Sequence, residues 1–99
     1  MEYNEIRKLN TMLTDMGIPH EFRPMFDGYY LKVFNNEGDV LCDAIEHQGS
    51  LGSQKDLIEI FNATTRKEGD VLSYLTADEA LKRFKYCWLN NTVIYKEGK

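Results

Sequence analysis

From Gly28 to His47 apolar and polar side chains alternate, stop at a short polar stretch, and alternate again. Tyr29, Leu31 and Val33 fall on one side of an extended chain, and Tyr30, Lys32 and Phe34 fall on the other. Aromatic and β-branched residues of this kind suit a pleated, half-buried surface. Between the two runs, Asn35, Asn36, Gly38 and Asp39 tolerate positive φ or bond their own backbone, which favours a reversal. In the second run Val40, Cys42 and Ala44 share one face, and Leu41, Asp43 and Ile45 share the other. Apolar groups on both faces predict a central strand, packed on one side and partly covered on the other. The pattern also matters for register, because a slip of one residue exchanges the two faces.

The flanking segments supply helical stripes. Ile6, Leu9, Leu13 and Met16, with Met12 beside them, recur at spacings of three and four and predict a helix over 2–16. Glu2 and Glu5 sit where the helix dipole favours acids, Gly17 suits a left-handed cap, and Pro19 prevents resumption. Residues 20–26 predict a strand with Phe22 inward, and Pro24, which lacks an N–H, places it at an edge. Asp27-Gly28 reads as a two-residue turn into the next strand. Gly49 to Ser53 reads as a connector. A second helix is predicted over 54–62, with Leu57, Ile58 and Phe61 buried, Ser53 as N-cap and Asp56 in a capping-box-like position. The polar stretch 63–70 predicts an exposed loop, and Val71 to Leu75 fits either a helical turn or an extended segment.

Thr76 and Glu79 form the clearest local signal, a capping box that opens a third helix running to about residue 89. Ala77, Leu81, Phe84 and Trp88 line its inner face, with Ala80 and Cys87 flanking and Lys82, Arg83 and Lys85 outside. Thr92 to Tyr95 fits a small edge strand or a loose tail, and 96–99 a frayed end. The expected architecture is a single α+β domain over 1–95. A three-stranded antiparallel sheet packs against helices in the order α-β-β-β-α-α.

Composition narrows the functional classes. The 99 residues carry 16 acids and 12 bases, a net charge of −4 that interleaves along the chain. Direct nucleic-acid binding, which needs a basic face, is not expected. No run of apolar residues is long enough to span a bilayer, and Glu2, Asn4 and Glu5 do not open a signal peptide. Cys42 and Cys87 both fall in apolar patterns without metal-type spacing, as expected of reduced core thiols in a cytoplasmic protein.

Candidate chemistry is sparse. Gly49, Ser50, Gly52, Ser53 and Lys55 form a glycine-rich turn ahead of the predicted second helix, where backbone N–H groups and a lysine could receive a phosphate or nucleotide. The P-loop ending is absent and Asp56 would repel an anion, so a plain linker and cap is the competing reading. His20 with Glu21 and His47 with Glu46 would meet at a metal only if the first and third strands were neighbours; no metal is expected. Cys42 and His47 point to opposite faces about 16 Å apart on one strand, which rules out a dyad. Phe84 and Trp88 surround Cys87 with apolar groups that raise a thiol pKa. Neither an enzyme activity nor a cofactor is expected. Tyr3, Tyr30, Phe34, Tyr74, Tyr86 and Tyr95 exceed what one small core can hold. If helices cover only one side of the sheet, Tyr30 and Phe34, with Met25 nearby, form a partner-binding patch on the other. Cover by the third helix or the tail is the competing reading.

Three stretches together carry a resemblance: Lys8 to Tyr29, reading Lys-Leu-Asn-Thr-Met-Leu-Thr-Asp-Met-Gly-Ile-Pro-His-Glu-Phe-Arg-Pro-Met-Phe-Asp-Gly-Tyr; Gly49-Ser-Leu-Gly52 before Asp56-Leu-Ile-Glu-Ile60; and Ser73 to Ala80 leading to Trp88. They resemble small uncharacterised proteins of temperate phages and mobile elements of gut Firmicutes. That family has no agreed activity and hands over no catalytic residue. The resemblance implies an accessory protein of the bacterial host's cytoplasm that binds a protein partner, such as a modulator or inhibitor of host defence, or that self-associates as a homodimer. Two alternatives stand beside it: a small-ligand or nucleotide binder using the Gly49–Lys55 turn, and an acidic inhibitor of a nucleic-acid-binding host protein.

Overall fold

The computed structural model describes residues 2–65 and 67–90. Helix α1 spans Asn4–Met16 and buries Ile6, Leu9 and Leu13, the stripe set by their spacing. Gly17 ends it in the left-handed conformation, φ 70°, with its N–H donating to the carbonyls of Leu13 and Thr14. Strand β1 (His20–Met25) and strand β2 (Gly28–Phe34) pair antiparallel, with Phe22 opposite Leu31. The turn between them is Phe26-Asp27 rather than Asp27-Gly28, because Gly28 already pairs with Met25. Gly28 serves a different purpose. A Cβ there would sit 2.0 Å from the Glu46 carbonyl oxygen, so only glycine lets β2 run past the end of the next strand.

Strand β3 (Val40–Glu46) pairs with β2 through Leu31 opposite Ala44 and Val33 opposite Cys42. The register shifts between Val33 and Phe34, so Leu41 is the additional residue of a bulge. Leu41 and Cys42 are accordingly both buried.

Beyond β3 the structure departs from the expected order. The helix predicted over 54–62 is a short 3₁₀ turn, Ser53–Lys55, followed by strand β4 (Ile58–Phe61). Ile58 and Ile60 enter the core while Glu59 and Phe61 face the other way, which is period two. Val71–Leu75 is extended and forms strand β5, with Ile58 opposite Leu75 and Phe61 opposite Val71. Among the described residues the sheet therefore has five antiparallel strands in the order β1-β2-β3-β4-β5, not three, and there are two helices, not three.

Helix α2 spans Ala77–Asn90 and buries Ala77, Ala80, Phe84 and Cys87. The capping box forms as expected: Glu79 N–H donates to Thr76 Oγ1 at 3.2 Å, and Thr76 N–H donates to Glu79 Oε1 at 2.8 Å. Both helices lie on one face of the sheet. Their stripes enclose one core with Leu31, Val33, Cys42, Ala44, Ile58 and Ile60. The strand or tail expected over 92–95, and the frayed end over 96–99, lie outside the described residues.

Candidate functional site

The face of the sheet opposite the helices carries a mixed surface. Strand alternation puts Glu21, Arg23 and Met25 of β1, Tyr30, Lys32 and Phe34 of β2, Asp43 and Ile45 of β3, and Glu59 and Phe61 of β4 on this side. Tyr30 is flanked by Arg23 and Ile45, and Lys32 by Glu21 and Asp43. Several of these groups hold one another in place. Tyr30 O–H donates to Glu21 Oε1 at 3.1 Å, Arg23 Nη2 meets Glu21 Oε2 at 3.0 Å, and Lys32 Nζ stands 5.4 Å from the centre of the Tyr30 ring. Asp43 Oδ1 is buried without a hydrogen-bond partner. Burial pushes the Asp43 carboxyl above its ordinary range, and the Lys32 charge pulls it back.

Tyr30 and Phe34 thus occupy the side expected of them, both half-buried. Met25 shares that side but pairs with Gly28, six positions along β2 from Phe34, which at the rise of a strand is about 20 Å. The three do not form one compact patch. Tyr30 instead pairs with Ile45, and Phe61 with Val71, the second a pairing that the helix predicted over 54–62 excludes.

The surplus of aromatics is smaller than the sequence implied. Tyr3 is buried and its hydroxyl donates to Asp27 Oδ2 at 2.5 Å. That bond, followed by burial, pushes the Tyr3 hydroxyl up to about 12. Tyr74 and Tyr86 are exposed, and Tyr95 lies outside the described residues. Phe26, unremarked in the sequence, is 86% exposed at the tip of the first turn, with its ring edge against His47 at 5.0 Å.

The Gly49–Lys55 turn has a physical fault as an anion site. Most of its amides already have acceptors: Gly49 N–H donates to His47 Nδ1, Ser50 N–H to the His47 carbonyl, Ser53 N–H to the Ser50 carbonyl and Lys55 N–H to the Gly52 carbonyl. Leu51 N–H donates to Glu59 Oε1 at 3.2 Å, so a carboxylate already stands where an anion would. Ser50 and Ser53 are buried, Ser50 Oγ donates to the His47 carbonyl, and the helix meant to point at the ligand is absent. Gly52, at φ 102° and with a virtual Cβ 3.2 Å from Leu57 and Tyr74, is a turn-forming glycine.

The histidines do not converge, because β2 separates β1 from β3. His20 Nδ1 lies 2.7 Å from the Ile18 carbonyl and Nε2 2.8 Å from Asn10 Oδ1. Among the described residues no cluster of His, Cys, Asp and Glu could hold a metal ion. Cys42 and Cys87 are free thiols buried in contact with one another. The Cys42 thiol is pushed up by its hydrogen bond with Cys87 and by burial. The same bond works downward on Cys87 against burial, the reverse of what its apolar neighbours implied.

A second polar cluster lies under the start of α1. Glu46 is wholly buried, and its Oε1 accepts from Ile6 N–H at 3.0 Å. Asp56 Oδ1 accepts from Glu5 N–H at 3.1 Å, and Glu5 Oε1 accepts from Ala77 N–H at 2.7 Å. Burial, together with the nearby Asp56 carboxylate, pushes Glu46 up to about 8. Burial opposes ionisation of Asp56 as well, but the bond with Glu46 and the amides of Glu5 and Asn4 hold it below its ordinary value. Comparison with protein families, with curated proteins and with solved structures returned no match.

Proposed function

We propose that this chain is a non-enzymatic interaction protein that engages a protein partner, or a second copy of itself, through the face of its sheet that no helix among the described residues covers. One observation supports this reading above the others. Both helices seal one side of a five-stranded sheet, while the other presents Tyr30, Phe34, Ile45, Phe61 and Val71 among interleaved acids and bases. Such a mixture of rigid aromatics and fixed charges suits a protein contact. The opposed charges limit which surfaces it can accept.

No helix among the described residues is long and apolar enough to cross a membrane. Action in the cytoplasm of a bacterial host, as a phage or mobile-element accessory protein that modulates host defence, rests on the sequence resemblance alone. Light scattering across a concentration series, and retention of host proteins on immobilised chain, test the surface. Tyr30→Ala and Phe34→Ala should each weaken whichever association the native chain shows. Association unchanged in both variants would overturn the reading.

A further inference from the structure

Helix α1 begins without a side-chain cap of its own. The residue before it, Tyr3, is left-handed, φ 53°, and contributes no cap bond. Its first N–H groups are received instead by two carboxyl groups from distant parts of the chain, Glu46 at the end of β3 and Asp56 in the connector before β4. They receive the N–H groups of adjacent residues, Ile6 and Glu5, which places the two carboxyls side by side under the first turn of α1. Glu46 is wholly excluded from solvent, and its second oxygen, Oε2, has no hydrogen-bond partner. Two ionised carboxylates side by side, one of them sealed from water, repel, whereas one proton converts the repulsion into a short O–H···O⁻ bond. Asp56, which already receives backbone N–H donors, is suited to remain ionised, and Glu46 to carry the proton.

We propose that Glu46 and Asp56 share a single proton, and that this proton latches the start of α1 onto the end of β3. The latch extends to α2, because Glu5, held beside the pair by its own N–H, accepts from Ala77 at the start of that helix. The charged groups that act on Glu46 are Asp56 of the connector and Glu5 of α1, both acidic. The Tyr3 hydroxyl that feels Glu46 is bonded to Asp27 of the β1–β2 turn, and Lys8 of α1 is engaged with Asp78 of α2 at 3.6 Å. With the proton gone, three negative carboxylates crowd together at two helix starts, that of Glu46 sealed from solvent.

The sign of the pH effect follows. In the fold Glu46 is held protonated, and in the unfolded chain it ionises in the ordinary glutamate range. Between those values the folded chain binds the extra proton, so stability falls as pH rises from about 4.5 to about 8. Asp56 acts in the opposite sense, and its contribution is lost only as pH falls below the ordinary aspartate range. The latch is therefore firmest at mildly acid pH.

The carboxyl carbon of Glu46, followed by ¹³C NMR in the full chain, should titrate well above the ordinary glutamate range and move down in Asp56→Asn. Ordinary titration would overturn the latch. A raised titration that Asp56→Asn leaves in place would assign the effect to burial alone and overturn the shared proton. Glu46→Gln keeps an acceptor for Ile6 N–H and supplies a permanent donor toward Asp56. Its unfolding constant should stay nearly flat across the window in which that of the native chain rises by more than about tenfold. An equal pH slope in both chains would also overturn the proposal. Should Glu46→Gln not fold, the native titration and Asp56→Asn still decide it.

Discussion

Ala44 and Ile45 are neighbours in β3 with opposite surroundings: Ala44 is wholly buried beneath the helices, opposite Leu31 and Ile60, and Ile45 lies on the face away from the helices, opposite Tyr30 and Glu59. A lysine at Ala44 has no route to solvent and would bury a charge in the core. Ala44→Lys should cost more than about 4 kcal/mol and abolish the folded circular-dichroism signal. Ile45→Lys should fold, with a change within about 1 kcal/mol by urea denaturation. Equal damage from both would mean that the second face is covered as well.

Gly28 and Gly38 separate two uses of glycine. At Gly28 an added Cβ meets the Glu46 carbonyl at 2.0 Å and Tyr3 at 2.9 Å, so Gly28→Ala must part β2 from the end of β3. The expected loss exceeds about 3 kcal/mol. At Gly38 nothing lies within 4 Å, but φ is 89°. Gly38→Ala should cost only the left-handed penalty, about 1–2 kcal/mol. Thermal melts of the two variants would show the order.

Thr76 tests the α2 cap. Its Oγ1 is the acceptor for Glu79 N–H, and Thr76→Ala should lower stability by about 1 kcal/mol in urea denaturation. The Thr76 N–H holds the Glu79 carboxyl below its ordinary value. That part of the cap persists at neutral pH and disappears as pH falls through the acid range.

Cys42 and Cys87 predict a kinetic result. Both sulfurs are buried, so neither is within reach of a reagent in solution while the chain is folded. An aromatic disulfide reagent should label the folded chain only as fast as it opens, and sub-denaturing urea should speed the reaction. Rapid labelling without denaturant would show that the α2–β3 contact is open in solution.

What the sequence revealed depended on how local the physics is. Gly17, the Thr76–Glu79 box and the alternation of Tyr29 to Phe34 act within a few residues, and each formed where its pattern placed it. The α+β class was legible for that reason. Strand β4 was not. Leu57, Ile58 and Phe61 fit a helical stripe as well as a strand, since so short an apolar run does not distinguish the two periods. Glu59 completed the disguise. It is nearly buried in the strand, satisfied by Leu51 N–H and Ser73 O–H, and neither donor announces itself in sequence. Once β4 became a helix, β5 lost the neighbour that would have made it a strand. The capping of α1 was beyond local reading, because Glu46 and Asp56 lie 40 and 51 residues from the amides they receive.

The meander also has a consequence for how the chain is made. Each strand pairs with the one synthesised just before it, so the sheet can grow in step with translation. Its greasy side cannot close at that pace. Phe84 and Cys87 arrive last, and Ala77 must reach back 72 residues to Glu5 before α2 is seated. A nascent chain stalled after Leu75 would therefore carry strands β1 to β5 with Ile58 and Ile60 not yet covered by α2, a species suited to chaperone capture.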